Sequence, residues 1–120
     1  MKYLLTFFVL ALLSNYEETE PVELINTWKL TETLFDPGDG SGTFQPVASE
    51  ATITFLEDGT FETDAFSCGS YSEADIISGT FSTVENTLTF DECQFSYTFE
   101  QFGNTLIVNL VCIEPCRLKF

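Results

Sequence analysis

Four cysteines are the side chains of this sequence best placed to do chemistry. Cys68, Cys93, Cys112 and Cys116 could form two disulfides or hold a metal ion, and their spacing separates the two readings. Structural zinc sites draw on closely spaced Cys pairs and on His. Here no Cys-x-x-Cys occurs, only Cys112 and Cys116 lie near one another, and there is no His. An even count in an exported chain favours disulfides. The lack of His also removes the commonest proton shuttle. Ser70 and Ser72 have no accompanying base, and no Gly-x-Ser-x-Gly occurs. The acidic pairs Glu57-Asp58 and Asp91-Glu92 fall in turn-forming stretches, where carboxylates are ordinary. Asp36, Asp39 and Ser41 could offer oxygens to Ca²⁺, but their spacing is not that of an EF-hand, and a turn-rich loop is the plainer reading. These residues predict a non-enzymatic protein with no catalytic group, metal or cofactor.

Charge narrows the partners. Nineteen acidic residues against four basic ones give a formal charge of -15. Phosphates would be repelled, which argues against nucleic acid and anionic membrane surfaces. The 120 residues suit one domain, expected as a monomer, and thirteen Phe supply a core. Residues 1–14 read as a secretory signal. Met1-Lys2 is a basic start, Tyr3 to Leu13 an apolar run, and Ser14 a small residue at its end. That run falls short of the ~20 apolar residues that span a bilayer. No transmembrane segment is expected once it is removed. Leu12-Leu13-Ser14 resembles the lipobox of bacterial lipoproteins, with Asn15 where the lipidated Cys would stand. The expected address is therefore exported: periplasm, cell surface or extracellular. Residues 15–21 are acidic and aperiodic, a tether, and residues 22–120 form the folded domain.

The elements that must position these groups are strands. Period-2 alternation and turn signals predict eight, at about 28–35, 51–56, 60–66, 77–84, 88–90, 95–102, 105–111 and 116–120. Asp58-Gly59 and Gly103-Asn104 mark tight hairpins. With neighbours paired in order, the eighth strand runs antiparallel to the first, and an up-and-down barrel can close and remove both sheet edges. Three tight turns then share one end. The long loops and all four Cys share the other. Three pairings are possible. Cys68–Cys93 with Cys112–Cys116 is favoured, because Pro115 helps bend the short turn, and Cys93–Cys112 with Cys68–Cys116 is the rival. Alternation points Ile53, Phe55, Phe61, Phe81, Leu88, Phe90, Phe95, Tyr97, Phe99, Leu106, Val108, Leu110 and Leu118 inward. An eight-stranded barrel holds side chains or one small ligand, and so many Phe rings favour filling. Phe44, Phe66 and Tyr71 are the aromatic residues expected near the open rim.

Asn26-Thr27-Trp28, with the only Trp at the start of the first strand, resembles the lipocalin (calycin) superfamily, and most closely its small domains in exported bacterial proteins. Lipocalins open with Gly-x-Trp; here Asn replaces Gly. The 37–42 loop, the Asp58-Gly59-Thr60-Phe61 turn and the Cys112–Cys116 ending resemble that group too. The resemblance implies a Trp28 seam covered by a cation from the last strand. Arg117 is the better chemical match, and Lys119 is nearer in height. It implies a binding module for a small apolar or amphipathic ligand. The other expectation is a filled envelope domain that meets a protein or glycan.

Overall fold

The computed structural model describes residues 23–68, 75–93, 95–112 and 115–120; the expected signal, the tether, Ser70, Tyr71 and Ser72 lie outside them. Ten strands follow in order: β1 Thr27–Lys29, β2 Glu32–Phe35, β3 Gln45–Pro46, β4 Thr52–Phe55, β5 Thr60–Thr63, β6 Ile77–Ser82, β7 Thr87–Phe90, β8 Ser96–Phe102, β9 Thr105–Asn109 and β10 Cys116–Lys119. They form one antiparallel sheet in the order β1-β4-β5-β6-β7-β8-β9-β10-β2-β3. The described residues contain no helix. β1 ends the sheet on one side and β2 lies next to the other end, yet only Leu30 and Thr31 separate them in the chain. The three Cα–Cα steps from Lys29 to Glu32 reach no further than ~11 Å, so the sheet must curl to bring those regions together.

The expected fold class is corrected in its detail. The chain is all-β and antiparallel, but ten strands replace the eight of a closed up-and-down barrel. β3 adds a short strand in the expected loop, and the expected strand 28–35 is broken in two. The break has a physical cause. Trp28 and Leu30 are buried, and Thr33 pairs with buried Leu118. Paired residues project to one face, so the core side holds residues 28, 30 and 33, and unbroken alternation fails. The N–H and Oγ1 of Thr31 both donate to the carbonyl oxygen of Lys119, whose register partner is Glu32. Two residues facing one make a β-bulge. It turns Glu32 outward to meet Lys119 Nζ at 3.2 Å, where continued alternation would aim its charge at the core.

The hairpins follow their turn residues. β4 and β5 join through four residues, Leu56 to Gly59. Gly59 sits at φ 87°, and the Leu56 N–H donates to the Thr60 carbonyl at 2.9 Å. β8 and β9 join through Gly103-Asn104, with the positive φ at Gly103, the II′ arrangement that matches strand twist.

Core packing is aromatic. Phe55, Phe61, Phe90 and Phe99 are buried, with Phe81 against them. Phe55 meets Phe81 edge-on at 5.0 Å between centroids, a favourable geometry for ring pairs. Gly79 lies between Phe61 and Phe90 in register. A Cβ there would stand 2.2 Å from the Thr89 carbonyl oxygen and 2.8 Å from the Phe61 ring. Its absence lets the two rings meet at 5.3 Å. Of the expected interior positions, Phe95 is a correction at 58% exposed, because it lies beyond the end of β8. Phe81 and Leu110 are partly buried against the core, and the others are buried.

Candidate functional site

The ladders set two unlike ends. Connections 56–59, 83–86 and 103–104 share one, and connections 36–44, 64–76, 91–95 and 110–115 share the other. Both disulfides lie at the second end. Cys68 pairs with Cys93 and Cys112 with Cys116, at Cα separations of 6.1 and 6.0 Å. This is the favoured pairing, and no free thiol remains as a metal ligand.

At that end the core is closed by a lid of rings. Phe66, fully buried, contacts Phe90 at 5.4 Å and Tyr97 at 5.8 Å, both edge-on. The Tyr97 hydroxyl donates to the Ser67 carbonyl at 3.4 Å, which leaves the lid's polar atom satisfied. Two further rings reach the rim. Phe35 is the register partner of buried Cys116 and shares its core-side face, yet it is 45% exposed. Phe95 continues the core-side parity of Tyr97 and Phe99 and remains exposed. The order β8-β9-β10-β2 sets them three strand spacings apart, about 14 Å.

The expected rim residues separate. Phe66 is part of the lid, below the surface. Phe44 precedes β3 and stands on the outer wall, with the Arg117 guanidinium carbon 5.6 Å and Lys119 Nζ 4.1 Å from its ring centroid. Tyr71 lies outside the described residues. Trp28 is buried, and its indole N–H donates to the Leu24 carbonyl at 3.0 Å. The seam expectation is corrected in one respect: the cations of β10 cover Phe44 rather than Trp28. Lys119 pairs with outward-turned Glu32, and Arg117 reaches Asn109 at 2.7 Å and Glu100 at 3.5 Å, so both project from the outer face. Sequence reasoning missed Phe35 as a rim residue. Its signal was an apolar side chain immediately before the Asp36-Pro37 turn.

The electrostatics of this end are one-sided. Asp36, Asp39, Asp64, Asp75, Asp91 and Glu92 lie in its connections, and none of those connections contains Lys or Arg. The Asp36 carboxylate accepts N–H bonds from Gly38, Gly42 and Gly40 at 2.7, 3.0 and 3.0 Å, led by Gly38 in lowering its pKa below the usual value. Asp39 is likewise lowered, first by the Ser41 hydroxyl and then by the Ser41 N–H. Both carboxylates are engaged by donors of their own loop. Among the described residues no group of three His, Cys, Asp or Glu gathers as a metal site. An open cleft of about 310 Å³ runs up the outer wall along Glu62, Ile76, Ile77 and Ser78 to Asp91 and Glu92.

Comparison with protein-family models, with curated proteins and with solved structures gives no match for this chain. Among the described residues no helix is long and apolar enough to cross a membrane.

Proposed function

We propose that this chain is an exported, non-enzymatic, lipocalin-like domain that holds a small apolar or amphipathic molecule on its loop-bearing rim. The observation that carries the reading is the pair Phe35 and Phe95. Both follow the core-side parity, yet they remain 45% and 58% exposed at the loop-bearing end. Exposed apolar surface at the loop-bearing end is what such a ligand would cover. The lipocalin-like reading is supported by nearest-neighbour antiparallel order from β4 to β10, and by a first segment that pairs with β4 through β1 and bonds β10 through Thr31. Two disulfides fit an oxidising, exported setting. Because the interior is filled by rings, the ligand rests on the rim and does not enter a deep cavity.

The filled interior also favours a second reading, an envelope domain whose loops meet a protein or glycan and which takes no small ligand. Native mass spectrometry of the chain isolated from its host separates the two. The proposal expects a co-purifying small molecule that disappears in Phe35→Ser/Phe95→Ser. Protein that is empty in every preparation, together with capture of a polymer or protein partner, would favour the second.

A further inference from the structure

We infer that the rim selects a cationic amphiphile, a molecule with an apolar body and an ammonium-type head. This deepens the rim-binding proposal and rests on it. Two independent features occur at this end. The first is apolar: Phe35 and Phe95 offer ring surface on one face at the mouth. The second is charge. Asp36 directly follows Phe35, Asp91 and Glu92 precede Phe95 by a few residues, and every connection at this end lacks Lys and Arg. The described basic residues are engaged elsewhere, Lys29 with Glu50, Arg117 with Glu100 and Lys119 with Glu32. Among the described residues no cation is therefore placed to receive an anionic head, and a fatty-acid-like ligand would meet like charge.

A cationic head gains twice at such a mouth. Carboxylates around a low-dielectric surface concentrate counter-ions at it, and an ammonium over an aromatic face is attracted by the ring quadrupole. Asp91 is reached by the Ser78 hydroxyl at 3.3 Å, and Glu92 is exposed beside it. Both line the cleft of the outer wall beside Ile76 and Ser78, four and three residues before Phe95, so they are the carboxylates best placed to meet the head. Asp36 contributes field more than contact, since its oxygens hold the backbone of its own loop.

Three fluorescent probes with one apolar body test this: diphenylhexatriene, its trimethylammonium derivative and its propionate. The intact, disulfide-bonded chain is titrated with each at low salt and at roughly 0.5 M salt, where screening is short-ranged. Cationic binding tighter than neutral by about tenfold or more, anionic binding weakest, and collapse of the spread at high salt is the expected result. Asp91→Asn/Glu92→Gln should narrow the cationic advantage while leaving the neutral probe bound. Phe35→Ser/Phe95→Ser should weaken all three. Equal affinity for the three probes overturns the charge selection and leaves the rim-binding proposal standing. Binding of none overturns the rim-binding proposal itself. A cationic preference that survives loss of both Phe side chains would show non-specific attraction to an acidic surface, and would overturn the inference.

Discussion

At the hairpin end the chain reverses in two to four residues, while at the other end four longer connections join the strands, three of them tied by two disulfides. The first end is held by positive φ at Gly59, Asn86 and Gly103, by ladder bonds that continue to the turns, and by Asp58 and Ser82, which accept the N–H bonds of Thr60 and Glu85. The second is held covalently and by side chains that accept backbone N–H bonds, as Asp36 does. Trp28 is buried among the core residues of the first segment, whereas Phe35 at the far end of β2 stays half exposed. A fold can spend its regular hydrogen bonding on one end and leave the other free to vary its loops, which is where binding residues concentrate in rigid scaffolds.

The largest expected effect tests that contrast directly. Trp28→Ala should destabilise the chain by ~3–5 kcal/mol, while Phe35→Ala should cost less than about 1 kcal/mol. Chemical denaturation of both variants measures the difference, and similar losses would erase the distinction drawn between the two segments. Next come the disulfides. Chain-entropy arguments give roughly 3.5 kcal/mol for the link spanning 25 residues and roughly 2 kcal/mol for the link spanning 4. Paired Cys→Ser variants should follow that order in melting temperature; the reverse order would mean that the short link holds the rim. The smallest effect is acid-sensitive. Asp36, Asp39 and Asp58 all have lowered pKa values, so their contribution is full above the ordinary 3.8 and drains as pH falls through the lower folded value. Amide NMR between neutral pH and strong acid should show Gly38, Gly40 and Gly42 shifting below 3.8. Asp36→Asn should remove that step from the loop and leave the Thr60 amide, held by Asp58 at the hairpin end, unchanged.

Much of this was legible because period 2 is a strong signal where one face is buried. Ile53, Phe55, Phe61, Leu88, Phe90, Tyr97, Phe99, Leu106, Val108 and Leu118 are all buried as alternation demands. Counting turns placed the cysteines at one end, and the single turn that Cys112 and Cys116 bracket, bent by Pro115, favoured the pairing that is found. The failures share a cause: alternation says nothing about where it resets or stops. The bulge at Thr31-Glu32 resets it, and the strand 28–35 read as one is two. β8 begins at Ser96, so Phe95 keeps its face but loses the cover of neighbours. Phe44 was read as a rim residue because no sequence signal announced β3, whose pairing with β2 sets it against the outer wall. Phe66 carries no mark separating a lid from a lip. The rim was anticipated as a place, and its residues were found only once the ends of the strands were known.

Gly79 has a consequence for how this sequence can change. Removing the Phe61 ring would relieve one of the two clashes that a Cβ at position 79 meets, but the nearer one is with the Thr89 carbonyl oxygen, which is backbone. No change of side chain at a neighbouring position can withdraw it. Phe61 can be replaced while Gly79 remains, whereas Gly79 cannot gain a side chain unless the β6–β7 ladder itself shifts. The dependence runs one way. Divergent descendants of this chain that keep the ladder should retain the glycine even where the aromatic partner has been lost, so the least conspicuous residue of the wall would be its most durable mark.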